Sequence, residues 1–331
     1  MEKNTVTLEQ YAETKERRKT KTRKAGSLAF FLGPYAICFA MFFVFPLVFG
    51  LIMSFCKFEK GSIWPVGVTE GFFDNYGKIF STDSIVARDF WNGMKNTVIF
   101  ACVIVPLGMV FPLVLALLIS IKPPCYKVFR TLIYLPGIFP LTATGLILLR
   151  MFSTNDGFIN NFFGSNIDWF GNVMNAWVMV GLFCLWGGIG GNFIIFTAAL
   201  ENVDKTLYEA AKMDGAGWWH RFKFVTLPGI KPQLTMCLFT TLIGYMNLYG
   251  QNFILTSNTP DQKGVKTAIF VIQDYLTNST YGTRIYGIVA AMGITLGFII
   301  AIISAVQMKV SKERKRGDKH EKAYMAWKEL R

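Results

Sequence analysis

The chain has 331 residues, of which 52% are hydrophobic and 17% charged, with a mean hydropathy of +0.37. Soluble domains carry nearer one quarter charged residues, so the composition reads as an all-α, polytopic membrane protein. A net charge of +13 invites a nucleic-acid reading, but the placement of the charges argues against it.

Residues 1–24 form a basic tail containing the run Lys15–Lys24. The charge-free stretch 25–56 that follows is too long for a signal-peptide core and reads as an uncleaved membrane helix. Further charge-free windows at 96–121, 131–149, 169–200, 232–260 and 285–308 can each hold one span, giving six transmembrane helices within a 25–310 membrane domain. The 131–149 window is short and contains Pro136 and Pro140, so its span is expected to extend to Phe152 and kink. Residues 311–331 form a second basic tail.

With both termini in the cytoplasm, the inward segments hold 25 of the 34 basic residues and the outward segments hold 9. The basic excess thus marks topology beside anionic membrane lipid, and no nucleic-acid partner is expected. The same topology places 201–232, between spans four and five, in the cytoplasm. Asp204 can cap a short helix to about Met213, and Gly215 stands where a left-handed residue would end it. A second helix would then place Trp218, Trp219, Phe222 and Val225 on one face and His220, Arg221 and Lys223 on the other, with Pro228 and Pro232 closing the unit.

The six cysteines are scattered without a CxxC pair, and two histidines are too few for a metal cluster. No GxxxxGK[ST] phosphate loop, HExxH or GxSxG occurs, so catalysis by this chain is not expected and no cofactor is assigned to it. The spans lack Asp, Glu, Lys and Arg, which argues against an ion-coupled carrier or a pore lined by charge rings. Any uphill transport would then draw energy from another polypeptide.

Neutral polar groups do occur in the spans. Gly187, Gly188, Gly190 and Gly191 precede Asn192 in span four. They fit either close helix packing through small residues or a broken helix lining a hydrated cavity. In span five, Tyr245 and Tyr249, like Asn247 and Gln251, are one helical turn apart, with Asn252 beside them. Amides and rings of this kind suit a neutral polyhydroxylated solute. Interhelical hydrogen bonding and an interfacial aromatic belt account for the same residues.

The run Glu209, Ala210, Ala211, Asp214, Gly215, Ala216, followed by Phe222, Leu227, Pro228 and Pro232, resembles the EAA loop of binding-protein-dependent ABC importer permeases. Asp74-Asn75-Tyr76, Phe129-Arg130-Thr131-Leu132 with Leu135-Pro136, and Asn155-Asp156-Gly157 with Asn160 resemble further motifs of that family's sugar branch, the maltose- and glycerol-3-phosphate-type permeases. Ser257-Asn258-Thr259-Pro260 departs from the glycine-rich turn of many relatives. The resemblance implies a six-helix type I importer fold in a bacterial-type plasma membrane. It implies that Glu209 contacts a separate cytoplasmic ATPase, that Gly215 permits the turn, and that Ala210, Ala211 and Ala216 keep the docking face small. The implied partners are a second homologous permease, two ATPase subunits carrying ATP and Mg, and an extracytoplasmic solute-binding protein that delivers a sugar. A phosphorylated polyol is the alternative cargo, and a self-sufficient secondary carrier is the alternative mechanism.

Overall fold

The computed structural model describes residues 30–59, 64–257, 264–277 and 285–329, with side chains through 309. The basic N-terminal tail and Asn258, Thr259 and Pro260 lie outside the described residues.

Among the described residues, four helices are long and apolar enough to cross a membrane: α1 (Phe30–Met53), α3 (Ile85–Ser120), α7 (Val173–Glu201) and the apolar part, Tyr286–Lys309, of α13 (Tyr286–Glu329). The short α2 (Asp74–Phe80) links the first two. The span expected around Pro136 and Pro140 does kink, and sharply: α4 (Tyr126–Ile138) and α5 (Leu141–Met151) meet at 97°. A short α6 (Phe158–Phe163) follows.

The window at 232–260 departs from expectation. It holds α10 (Lys231–Met246) and α11 (Gly250–Thr256), separated at 247–249, so the turn-apart pairs inferred for 245–251 do not lie on one helix. The break is tolerable because a neighbouring segment satisfies its Leu248 carbonyl and is itself held by α11. The hydroxyl of Thr267 donates to the carbonyl of Leu248 at 2.6 Å, and Asn252 Nδ2 donates to the carbonyl of Val265 at 2.8 Å.

That segment leads into α12 (Ala268–Thr277), an apolar helix that the charge-free windows do not contain. Ala268, Phe270, Val271 and Tyr275 are buried, and the backbone N–H of Ala268 donates to Thr97 Oγ1 of α3 at 2.9 Å. This packing also explains why α3 begins 11 residues before the charge-free window. Phe90 and Met94 bury against α12 and α13 although Arg88, Asp89 and Lys95 share their stretch of chain. Gly93 allows the approach, since a Cβ there would sit 3.0 Å from Val271 and 3.1 Å from the Ala268 nitrogen.

The interior is built around α3 and α7. Phe100, Ile104, Met179, Val180, Phe183 and Leu255 pack at one level, and Ala116, Ile119, Phe193, Phe196 and Cys237 at another. The outer faces of α1, α3 and α7 leave many large apolar side chains exposed, as a lipid-facing protein requires.

Candidate functional site: the loop between α7 and α10

The turn after α7 folds as the residue types dictate. Asp204 Oδ1 accepts the backbone N–H of Thr206 at 2.9 Å and starts α8 (Lys205–Met213). That bond lowers the Asp204 pKa, because it stabilises the carboxylate form. At the other end Gly215 has φ +74°, the left-handed region. Its N–H donates to the carbonyl of Lys212 at 3.1 Å, and the N–H of Ala216 donates to that of Ala211 at 2.9 Å. This pair of bonds is a Schellman closure, which glycine reaches without the penalty other L-residues incur.

The second helix, α9 (218–229), is α-helical at Trp218–Arg221, π-helical at Phe222–Thr226 and α-helical again at Leu227–Gly229. Pro228 stands one residue before the end of α9, as expected, whereas Pro232 does not close the unit but lies in the first turn of α10, where a missing N–H costs nothing; only Ile230 separates α9 from α10. The face assignment also changes. Phe222, Val225 and Thr226 turn inward together with Arg221, while Trp219, His220, Lys223 and Phe224 are exposed. Spacings of three and four residues from Trp218 to Arg221, Phe222 and Val225 put the arginine on the inner stripe.

Two contacts missed at the sequence level make the unit rigid. The hydroxyls of Tyr208 on α8 and Thr226 on α9 lie 2.9 Å apart and hydrogen-bond, closing the hairpin. At its base, Ile230 is fully buried against Val203 and Ala199, and a Cβ on Gly229 would sit 3.0 Å from Val203. Only the alternation of apolar and polar residues around Val203 and Ile230 hints at this anchor. What the loop presents outward is Leu207, Glu209, Ala210, Asp214, Leu227 and Pro228, all exposed, with Ala211 and Ala216 half-buried. The result is a small-residue surface carrying two carboxylates, Glu209 and Asp214, held at the ends of two membrane helices.

The polar residues of the spans divide into two groups. α7 is continuous through Gly187–Gly191, which overturns the broken-helix reading and supports close packing. Gly190 is buried, and a Cβ there would lie 3.1 Å from the carbonyl oxygen of Tyr134. Asn192 is a packing residue as well. Pro112 has no N–H to give the carbonyl of Gly108, four residues earlier, and Asn192 Nδ2 donates to that carbonyl at 3.0 Å. The same nitrogen reaches Thr241 Oγ1 at 2.9 Å, tying α7 to α3 and α10. Asn252 is fully buried, with Nδ2 on Val265 and Oδ1 accepting from Thr256, so it faces the core rather than a passage.

Around the 247–249 break, Asn247 is exposed while Tyr245, Tyr249 and Gln251 are partly so. Tyr249 stacks on Phe253 with ring centres 5.4 Å apart, and Tyr245 reaches the Cys184 carbonyl at 3.4 Å. Gly187 and Gly191 have nothing within 4 Å of a Cβ position, so that side of α7 is open.

Residues 108–316 match the family model described as "Binding-protein-dependent transport system inner membrane component". The chain belongs to that family. This permease is 32% identical over 234 residues to the lactose transport system permease protein LacF of Rhizobium radiobacter, covering 68% of this chain and 77% of the relative. It is 27% identical to the arabinooligosaccharides transport system permease protein AraP of Bacillus subtilis, covering 85% of this chain and 87% of that one. Its fold matches a chain of a bacterial ABC transporter that imports alginate, with a TM-score of 0.76 and 22% identity over 90% of the permease and 99% of the compared chain. The permease is thus a multi-pass transport component with the helical fold of an ABC importer subunit.

Proposed function

We propose that this permease forms half of the membrane pathway of an ATP-driven importer for a sugar or oligosaccharide, and that the loop 201–232 is where energy enters it. The observation that carries the proposal is the mechanical character of that loop. It is capped at Asp204, closed at Gly215, pinned at Tyr208–Thr226 and anchored at Ile230. A push on its outward surface is therefore carried to α7 and α10 rather than absorbed by the turn. Glu209, Ala210, Ala211, Asp214, Gly215, Ala216, Leu227 and Pro228 make up the docking unit, and an ATPase subunit with its own ATP and Mg is the proposed engine. A second homologous permease completes the pathway, a second ATPase completes the engine, and an extracytoplasmic solute-binding protein delivers cargo. Both termini and the loop are assigned to the cytoplasm by the distribution of basic residues.

The names of the relatives support sugar cargo: lactose, arabinooligosaccharides, and the starch degradation products of the Thermoanaerobacterium thermosulfurigenes relative. Contacts to the solute are assigned to the broken stretch of the fifth span, through Tyr245, Asn247, Tyr249 and Gln251, beside the open side of α7 at Gly187 and Gly191, with Gly188 packed against the Tyr245 hydroxyl. Asn247 Nδ2 donates to the Ile243 carbonyl at 2.8 Å, which leaves its oxygen and the Gln251 amide to exchange hydrogen bonds with hydroxyls while the rings cover C–H faces.

Reconstitution decides between this mechanism and self-sufficient transport. Liposomes holding the assembled transporter should accumulate labelled sugar only with ATP on the ATPase side and binding protein on the other. Flux through liposomes holding this chain alone would overturn the proposal.

A further inference from the structure

A cleft of about 470 Å³ opens beside the loop, between the end of α3 and helix α9. Val114, Leu118 and Ile121 form one wall, and Trp218, Arg221 and Phe222 form the other. The apolar wall is the end of a longer stripe: Val103, Val110, Val114 and Leu118 on α3, and Ile121 just past its end, are all exposed, three to seven residues apart, so they follow one helical face. Arg221 differs from the rest of the cleft. Its Nε is buried without a hydrogen-bond partner, and among the described residues no carboxylate lies within ion-pairing distance. A buried guanidinium nitrogen left this way costs stability unless an acceptor completes it, and an anion does so best. No hydroxyl of the cleft bonds this nitrogen: those of Tyr208 and Thr226 pair with each other, Thr226 Oγ1 also reaches the Arg221 carbonyl at 3.4 Å, and Ser120 Oγ donates to the Leu117 carbonyl.

The geometry points to a phospholipid with an anionic headgroup, bound with its phosphate on Arg221 and one acyl chain along the Val103–Ile121 stripe. The occupant must be apolar for several helical turns and anionic at one end, and it must reach the cleft from the membrane side. A bilayer lipid meets all three conditions. Arginine suits the task because its planar fork presents Nε–H and Nη–H together to two phosphate oxygens. Trp218 stands at the mouth with its ring partly exposed, where an indole sits between headgroup and chain. Because α9 is the far arm of the loop hairpin, a lipid held here braces the coupling unit against the end of α3. Lipid charge then becomes a second input to the loop besides the ATPase.

The test uses the full-length chain, delipidated in dodecyl maltoside and titrated with dioleoylphosphatidylglycerol or dioleoylphosphatidylcholine, with bound lipids counted by native mass spectrometry. The expected result is a phosphatidylglycerol site that phosphatidylcholine does not match, weakened roughly tenfold or more in Arg221→Gln, as loss of a charge-assisted bond implies. Lys127→Gln, which removes an exposed cation outside the cleft, should leave that site unchanged. Leu118→Trp narrows the apolar half with Arg221 in place and should weaken binding as well, which keeps the question answerable if Arg221→Gln does not fold. Equal retention of the two lipids by the wild-type chain would overturn the proposal. So would undiminished phosphatidylglycerol binding in the variants, or efficient cross-linking of Leu118→Cys to another subunit of the assembled transporter. None of these readouts depends on which membrane face bears the loop, so failure here leaves the coupling proposal standing.

Discussion

Gly215 is where the loop can be perturbed most cleanly. Its φ of +74° lies in the left-handed region, yet nothing comes within 4 Å of a Cβ built on it. Replacement therefore meets no steric neighbour, and the whole cost is conformational. For an ordinary L-residue that cost is about 1–2 kcal/mol, or roughly a five- to thirtyfold loss in the population of the closed turn. Asparagine tolerates this region and should lose least, alanine should fall in the range stated, and β-branched valine should lose most. Hydrogen exchange at the Gly215 and Ala216 amides reads the two closing bonds directly. Sugar-stimulated ATP hydrolysis by the assembled transporter reads the consequence and should fall in the same order. Equal effects from asparagine and valine, or an unchanged exchange rate in Gly215→Val, would refute the reasoning.

Three further outcomes follow from other parts of the structure. Asn192→Ala removes the donor that replaces the missing N–H of Pro112 and should cost about 0.6–1.7 kcal/mol in thermal stability; the loss should shrink in a Pro112→Ala background, where the Gly108 carbonyl regains its helical donor. Gly190→Ala forces α7 away from the Tyr134 carbonyl and should lower the melting temperature, whereas Gly187→Ala, with open space at its Cβ, should be tolerated. The lowered pKa of Asp204 means that its capping contribution is complete above the ordinary aspartate value of 3.8 and is lost as pH falls through the lower folded value; amide exchange at Thr206 should accelerate in that acidic window for the wild type and be insensitive to it in Asp204→Asn.

What the sequence made legible was what depends on local chemistry and on long apolar runs. Asp204 and Gly215 mark a cap and a left-handed closure by residue type alone, and Pro136 and Pro140 announce the bend between α4 and α5. Features created by long-range packing were hidden. Helix α12 was passed over because its ten residues are too few for a span and include Asp274, yet burial against Thr97 and Gly93 makes it a core element. The break at 247–249 was invisible because its Leu248 carbonyl is satisfied by Thr267, some twenty residues on. Asn192 fitted either helix packing or a solute contact, and only the position of Pro112 on a neighbouring helix assigns it to a stranded carbonyl. Arg221 was placed on the outer face because π-helical winding after it, and the cleft it enters, are properties of the fold.

The central claim is that Glu209, on the exposed arm of a rigid hairpin, is part of the contact through which an ATPase drives this permease. The direct measurement is sugar-stimulated ATP hydrolysis by the assembled transporter carrying Glu209→Lys, alongside the amount of permease inserted in the membrane. The account predicts wild-type insertion with stimulation abolished. Wild-type stimulation in the variant would contradict it.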